Sequence, residues 1–209
     1  MKISIIGASQ GIGLALLNIA LEAGYEVTAL VRNPAKTNIT DPRLTVVEGN
    51  ILDMASVNAV TAGQDAICVC IGIPPTRKPI NVFSRGTSNV IVAMGQQQNQ
   101  KLIVVTGIGA EDSKGHGGFL YDKVLNPLLL RTIYDDKNRQ EALIQASNVD
   151  WLIVRPGFLT NGPQTEKYRE IEDLSGVTAG KISRLDVADF MLKQITAATC
   201  FGKTPLLTY

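Results

Sequence analysis

Short β-branched and apolar runs alternate along this chain with longer stretches whose apolar residues recur at helical spacing. Ile3 to Ile6 reads as a buried strand. From Gly11 to Ala23, residues Ile12, Ala15, Leu16, Ile19, Ala20 and Ala23 fall at intervals of three and four, which gathers them on one helix face. Gly24 stops that helix. Strands follow at Glu26 to Val31, Leu44 to Glu48, Ala66 to Ile71, Leu102 to Thr106 and Trp151 to Arg155. Helices are expected over Met54 to Thr61, Asn81 to Gln98 and about Leu120 to Ser147. The last should break near Asn126-Pro127, because proline disfavours helix for the residue before it. Pro156-Gly157 ends the sixth strand. After Gly162 the pattern weakens, and only a helix over Asp186 to Ala198 and a strand over Pro205 to Thr208 stand out. Asp186 reads as the cap or first-turn acid of that helix.

Strands alternating with helices imply right-handed βαβ units and a doubly wound α/β fold, with a mainly parallel sheet and helices on both faces. The 209 residues suffice for one core, so a single domain over 1–209 is expected, with small substrate-side elements within 158–209. The polar, glycine-rich stretch Gly109 to Gly118 follows the fifth strand. It reads as a mobile loop at the carboxyl edge of the sheet, where open α/β sheets bind ligands.

Composition narrows the function classes. Net charge is +1, so no global field draws the protein to nucleic acid or to an anionic membrane, and any anion must be held locally. No run approaches the roughly 18 apolar residues of a membrane span. The N-terminal apolar run stops at Gly7, which argues against a signal peptide. Three cysteines, an odd number, argue against a disulfide framework and for a cytoplasmic setting. His116 is the sole histidine, so a histidine-based metal site or a Ser–His–Asp triad lacks material. No metal is expected.

The chemistry starts at Gly7-Ala8-Ser9-Gln10-Gly11-Ile12-Gly13, between the first strand and the first helix. Glycines permit the tight turn and close backbone approach to a pyrophosphate, and the helix start adds free N–H groups and a favourable dipole. This is the context of a Rossmann-like dinucleotide site. Selectivity for NAD usually places an acid after the second strand. Here Leu30-Val31-Arg32-Asn33-Pro34 lacks one and offers Arg32, whose guanidinium suits a ribose 2′-phosphate; Lys36 is near enough to help. NADP(H) is therefore expected over NAD(H).

Together with Leu30-Val31-Arg32-Asn33, Val47-Glu48-Gly49-Asn50-Ile51, Val104-Val105-Thr106-Gly107, Lys137 with Glu141, Trp151 to Gly157, and Ser183-Arg184-Leu185-Asp186-Val187-Ala188, this turn resembles the short-chain dehydrogenase/reductase superfamily. The chain is most similar to its small atypical group of NmrA-like and biliverdin reductase B (flavin reductase)-like proteins. The resemblance implies that Gly7, Ser9, Gln10, Gly11 and Ile12 hold the pyrophosphate and ribose. Arg32 and Asn33 would face the 2′-phosphate. Asn50 and Ile51 would flank the adenine, although the family often has Asp in place of Asn50, and Ile71 and Gly72 would follow the adenosine ribose. Thr106 takes the place of the catalytic serine. Lys137 would bond the nicotinamide ribose, and Pro156, Gly157 and Phe158 would edge the carboxamide. The superfamily pairs Tyr-x-x-x-Lys. Here Tyr134-Asp135-Asp136-Lys137 is one residue short, though i and i+3 are still helix neighbours. Tyr121, in Tyr121-Asp122-Lys123, is a second candidate. Packing at the core edge is the alternative for both.

Other groups read as structural. Cys68 and Cys70 would point to one face of a buried strand. Asp135-Asp136, Glu170, Glu172 and Asp173 read as solvated faces rather than metal ligands, and Lys101 as a surface cation; Glu111, Asp112 and His116, in the loop after the fifth strand, are either substrate contacts or, as for most loop charges, simply solvated. The function implied is NADPH-dependent hydride transfer to a small conjugated acceptor such as a flavin or quinone, by a monomer or homodimer. The alternatives are a non-catalytic NADP(H)-binding redox sensor of the NmrA-like kind and, third, a nucleotide-sugar epimerase or dehydratase.

Overall fold

The structure is a computed structural model that describes residues 1–209 apart from Asn38, Gln96, Gln98 and Leu120; the side chains of Lys36 and residues 124–127 also lie outside the description. The chain runs β1 (Lys2–Ile6), α1 (Gly11–Glu22), β2 (Glu26–Val31), β3 (Leu44–Glu48), α2 (Met54–Thr61), β4 (Ala66–Val69), α3 (Val82–Met94), β5 (Lys101–Val105), α4 (Arg131–Gln145), β6 (Asp150–Pro156), β7 (Phe158–Thr160), β8 (Arg169–Ile171), β9 (Lys181–Ser183), α5 (Arg184–Ala197) and β10 (Leu206–Thr208). Eight strands form one sheet in the order β3-β2-β1-β4-β5-β6-β10-β8, parallel except where β8 joins β10. The first six strands have the doubly wound order. β7 and β9 form a separate parallel pair.

The strands are apolar on both faces because helices cover both. Ile3 and Ile5, Ala66 and Cys68, and Ile103 and Val105 pack with α1 and α5. Their sequence neighbours Ile6, Ile67, Val69, Leu102 and Val104 pack on the opposite side with α2, α3 and α4. Gly24 ends α1 with φ +84°, a conformation that only glycine adopts without cost. No helix among the described residues is long and apolar enough to cross a membrane.

The differences from the sequence reading have local causes. β4 stops at Val69 rather than Ile71, because its neighbour β1 ends at Ile6 and turns away at Gly7. α3 ends at Met94, before Gly95; the expected end at Gln98 lies outside the described residues. The helical stretch does not break at Asn126-Pro127. It runs from Tyr121 to Leu130 as a wider π-type helix and becomes α-helical at Arg131. The cap of α5 is Ser183, whose hydroxyl oxygen accepts the Asp186 N–H at 2.9 Å, so Asp186 is the first-turn acid.

Several charges read as solvated are pinned. Asp136 is fully buried and accepts the N–H of Phe83 at 2.9 Å and the hydroxyl of Ser84. Asp112 reaches the buried Arg155. Lys101 donates to the Ile195 carbonyl at 2.7 Å and sits over the Phe201 ring. The loop after β5 is packed, with Ile108, Ala110 and Ser113 buried, and its Tyr121 side is closed by Phe158 at a ring separation of 5.1 Å. Cys68 is buried in β4, which pushes its thiol up to about 12, so it is protonated at neutral pH.

Candidate functional site

A cavity of about 900 Å³ opens along the carboxyl edge of the sheet. It runs from the end of β2, at Arg32, past the glycine turn after β1, to Thr106 after β5 and Pro156 at the end of β6. Four strand spacings separate β2 from β6, roughly 19 Å, which is room for an extended dinucleotide.

The turn over residues 7–13 forms one wall, and its tightness has a steric origin. A Cβ on Gly13 would collide with the Gly7 carbonyl, and Gly7 itself has φ +94°. Gln10 precedes α1 without a side-chain cap, so the first N–H groups of that helix are left for a ligand. Three cations line the cavity, Arg32, Lys137 and Arg184, and no acid lines it among the described residues. That imbalance and the uncapped helix fit a polyanionic ligand.

Of the residues expected from the sequence, the cavity wall contains Gly7, Ser9, Gln10, Gly11, Ile12, Arg32, Asn50, Ile51, Ile71, Gly72, Thr106, Lys137 and Pro156. Asn50 shapes its own turn by accepting the Leu52 N–H at 3.0 Å. Asn33, Gly157, Phe158 and Tyr134 stand outside the wall. The Asn33 side chain accepts the Ala35 N–H at 3.0 Å, capping the short turn Pro34–Lys36; the Lys36 side chain is outside the described residues. Gly157 lies under the Gly180 carbonyl, and Phe158 packs edge-on against Tyr121.

Tyr134 and Lys137 share α4 but point to different surroundings. The Tyr134 hydroxyl lies 2.7 Å from that of Tyr121, which is 3.0 Å from the Ile108 carbonyl. Burial, then the neighbouring Tyr121, push the Tyr134 phenol far above its usual range, so it stays protonated. The Tyr134 phenol sits in a small cluster with Tyr121 and Phe158 and does not line the cavity.

Thr106, Lys137 and Glu141 form one network. The Thr106 hydroxyl donates to Glu141 Oε1 at 2.6 Å, and Lys137 Nζ donates to the Thr106 carbonyl. Glu141 is fully buried and also receives Arg155, with Nη2 at 2.6 Å from Oε2. Lys137 further lies 5.1 Å from the centre of the Phe83 ring. Burial pulls the Lys137 ammonium down to about 8, against the pull of Glu141, which raises it. Because the unfolded lysine titrates near 10.5, the folded protein binds fewer protons between pH about 8 and 10.5. This group's contribution therefore makes stability rise with pH across that window. A lysine side-chain NMR titration should show a midpoint near 8 that is absent in Lys137→Arg. A midpoint near the ordinary lysine value would place the amine in water instead.

The sequence reading missed Leu159, Asn161 and Arg184. β7, the residues after it and the start of α5 bring them to the cavity. Arg184 stood in a recognised motif, but no spacing rule links it to the glycine turn.

The fold and this cavity define a Rossmann dinucleotide-binding domain. The NAD(P)H-binding family matches residues 7–198, so the chain belongs to that family. An uncharacterised chloroplastic protein of Arabidopsis thaliana is 29% identical over 208 residues, spanning 93% of this chain and 71% of that protein. An anaerobilin reductase of Escherichia coli O157:H7 superposes with TM-score 0.83 at 22% identity, covering 100% of this chain and 97% of its own. A short-chain dehydrogenase/reductase of Veillonella parvula in complex with NADP superposes with TM-score 0.80 at 17% identity, covering 100% and 94%.

Proposed function

We propose that this protein is an NADPH-dependent reductase of a small conjugated acceptor such as a flavin, a quinone or a related compound. The observation that carries the reading is the cation-lined, acid-free cavity across the carboxyl edge, ending at Thr106, Lys137 and Pro156. When bound, NADPH supplies a hydride. Arg32, at the end of β2, holds the 2′-phosphate and selects NADPH over NADH. The glycine turn holds the diphosphate. Lys137, positioned by the Thr106 carbonyl, donates to the ribose at the far end.

The Thr106 proton is committed to Glu141, and Tyr134 faces Tyr121, so neither hydroxyl offers a proton at the cavity wall. An acceptor that spreads charge over a conjugated system and takes its proton from water suits such a site. The anaerobilin reductase neighbour agrees with this acceptor class.

Titration with NADPH and NADH, followed by a panel of flavins and quinones read at the reduced nicotinamide band, tests the reading. Arg32→Ala should weaken NADPH about 10-fold or more and leave NADH unchanged, because the lost charged hydrogen bonds are worth about 1.5–3 kcal/mol before solvent screening at this exposed side chain. Equal loss for both cofactors would remove Arg32 as selector. Tight NADPH binding without turnover on any acceptor would favour the sensor reading, which the turned-away Tyr134 supports.

A further inference from the structure

Cofactor binding as proposed, on which this inference rests, uses two of the three cavity cations and leaves Arg184. This arginine is the first residue of α5, and the capping bond from the Asp186 N–H to Ser183 at 2.9 Å fixes the backbone from which it departs. Its Nη1 donates to Asn161 Oδ1 at 2.7 Å, and Asn161 also lines the cavity. Its Nε lies 3.9 Å from where a Cβ on Gly11 would stand, so the guanidinium faces the glycine turn. Asn161 is neutral, and Arg184 forms no salt bridge among the described residues. The fold thus holds an uncompensated, half-buried cation beside the uncapped start of α1.

We propose that Arg184 binds the diphosphate of the dinucleotide and that Asn161 is its positioning residue. Position selects the diphosphate over the other anionic groups. Arg32 is at β2 and Lys137 near the end of β5, whereas Gly11 follows β1, between them in the sheet. The diphosphate is then gripped from two sides, by the backbone N–H groups of the turn and by a planar fork of donors suited to phosphate oxygens.

Calorimetric titration of the full chain with three ligands tests this: NADPH, ADP-ribose (a diphosphate without a 2′-phosphate) and 2′-AMP (a 2′-phosphate without a diphosphate). Arg184→Met keeps the side-chain stem. It should weaken NADPH and ADP-ribose by about 10- to 100-fold and leave 2′-AMP unchanged. Asn161→Ala should show the same pattern at a few-fold, and Arg32→Ala the complementary one, weakening NADPH and 2′-AMP but not ADP-ribose. Wild-type affinity of Arg184→Met for ADP-ribose would overturn the proposal, as would an equal loss on 2′-AMP or a loss seen only in KM for an acceptor. Failure of the dinucleotide reading itself would show in the wild-type protein, as absence of binding by NADPH and ADP-ribose alike.

Discussion

Glu141→Leu is expected to destabilise the protein by about 3–5 kcal/mol, the cost of breaking one side of a buried ion pair. The Glu141 carboxylate is fully buried and accepts two guanidinium N–H groups of Arg155, itself 1% exposed. A leucine of similar volume would leave Arg155 with Asp112 alone, whose side chain is 72% exposed. It would also leave the buried Thr106 hydroxyl without its acceptor. Urea unfolding should show a lower midpoint at unchanged slope. The double variant Glu141→Leu/Arg155→Leu should recover most of the loss, because removing both partners of a buried pair costs far less than removing one. A single-variant loss under about 1 kcal/mol would mean that the pair is solvated in solution. A second effect concerns the cavity: without Glu141, which raises the Lys137 value, the amine should titrate below its present value of about 8. Lysine NMR on the same variant reads that shift separately from stability.

Gly13→Ala should be at least as damaging to binding. The added Cβ would fall on the Gly7 carbonyl oxygen and lie 2.9 Å from its carbon and 3.1 Å from Cys70 Cβ. Two of these three obstacles are backbone, so relief requires the turn that lines the cavity to move. A destabilisation of about 3 kcal/mol is expected for this overpacking, a fall in Tm of about 6–12 °C for a chain of this length. Cofactor binding should be lost along with it. Gly72→Ala is the control in the same cavity, since a Cβ there meets nothing within 4 Å and the backbone is not left-handed. It should leave Tm within about 1–2 °C of wild type. Unchanged NADPH affinity in Gly13→Ala would show that the ligand does not rest on this turn.

Much of the architecture could be read from the chain because the relevant physics is local. The continuous apolar runs of β1, β2 and β5 and the three-four spacing in α1 arise within single elements, and the bounds of β2, β3 and α2 agree with the pattern to the residue. The glycine turn was legible for the same reason, since its strand, its helix and its glycines are contiguous. Arg32 came from one substitution at a known distance from that turn. Element ends were less legible where a neighbour decides them, as at Val69, where β1 has already turned away. The charges were least legible. Asp136 and Asp112 look solvated in a linear sequence, yet each meets a partner far along the chain, Phe83 and Ser84 for one and Arg155 for the other.

The sequence by itself determined the alternation of strands and helices, the glycine turn between β1 and α1 and the cation after β2, because each depends on residues within one turn or one element of each other; the family came from several such local motifs spread along the chain. Tertiary structure alone decided what the Tyr134, Glu141 and Arg184 side chains meet. The Tyr134 phenol meets Tyr121, thirteen positions away in a different helical segment, and does not line the cavity. Fourteen residues of chain separate Glu141 from the Arg155 that neutralises it. Arg184 reaches Gly11 only because α1 and α5 pack on the same face of the sheet with their N-termini at its carboxyl edge, a juxtaposition of residues from opposite ends of the chain that no local pattern encodes.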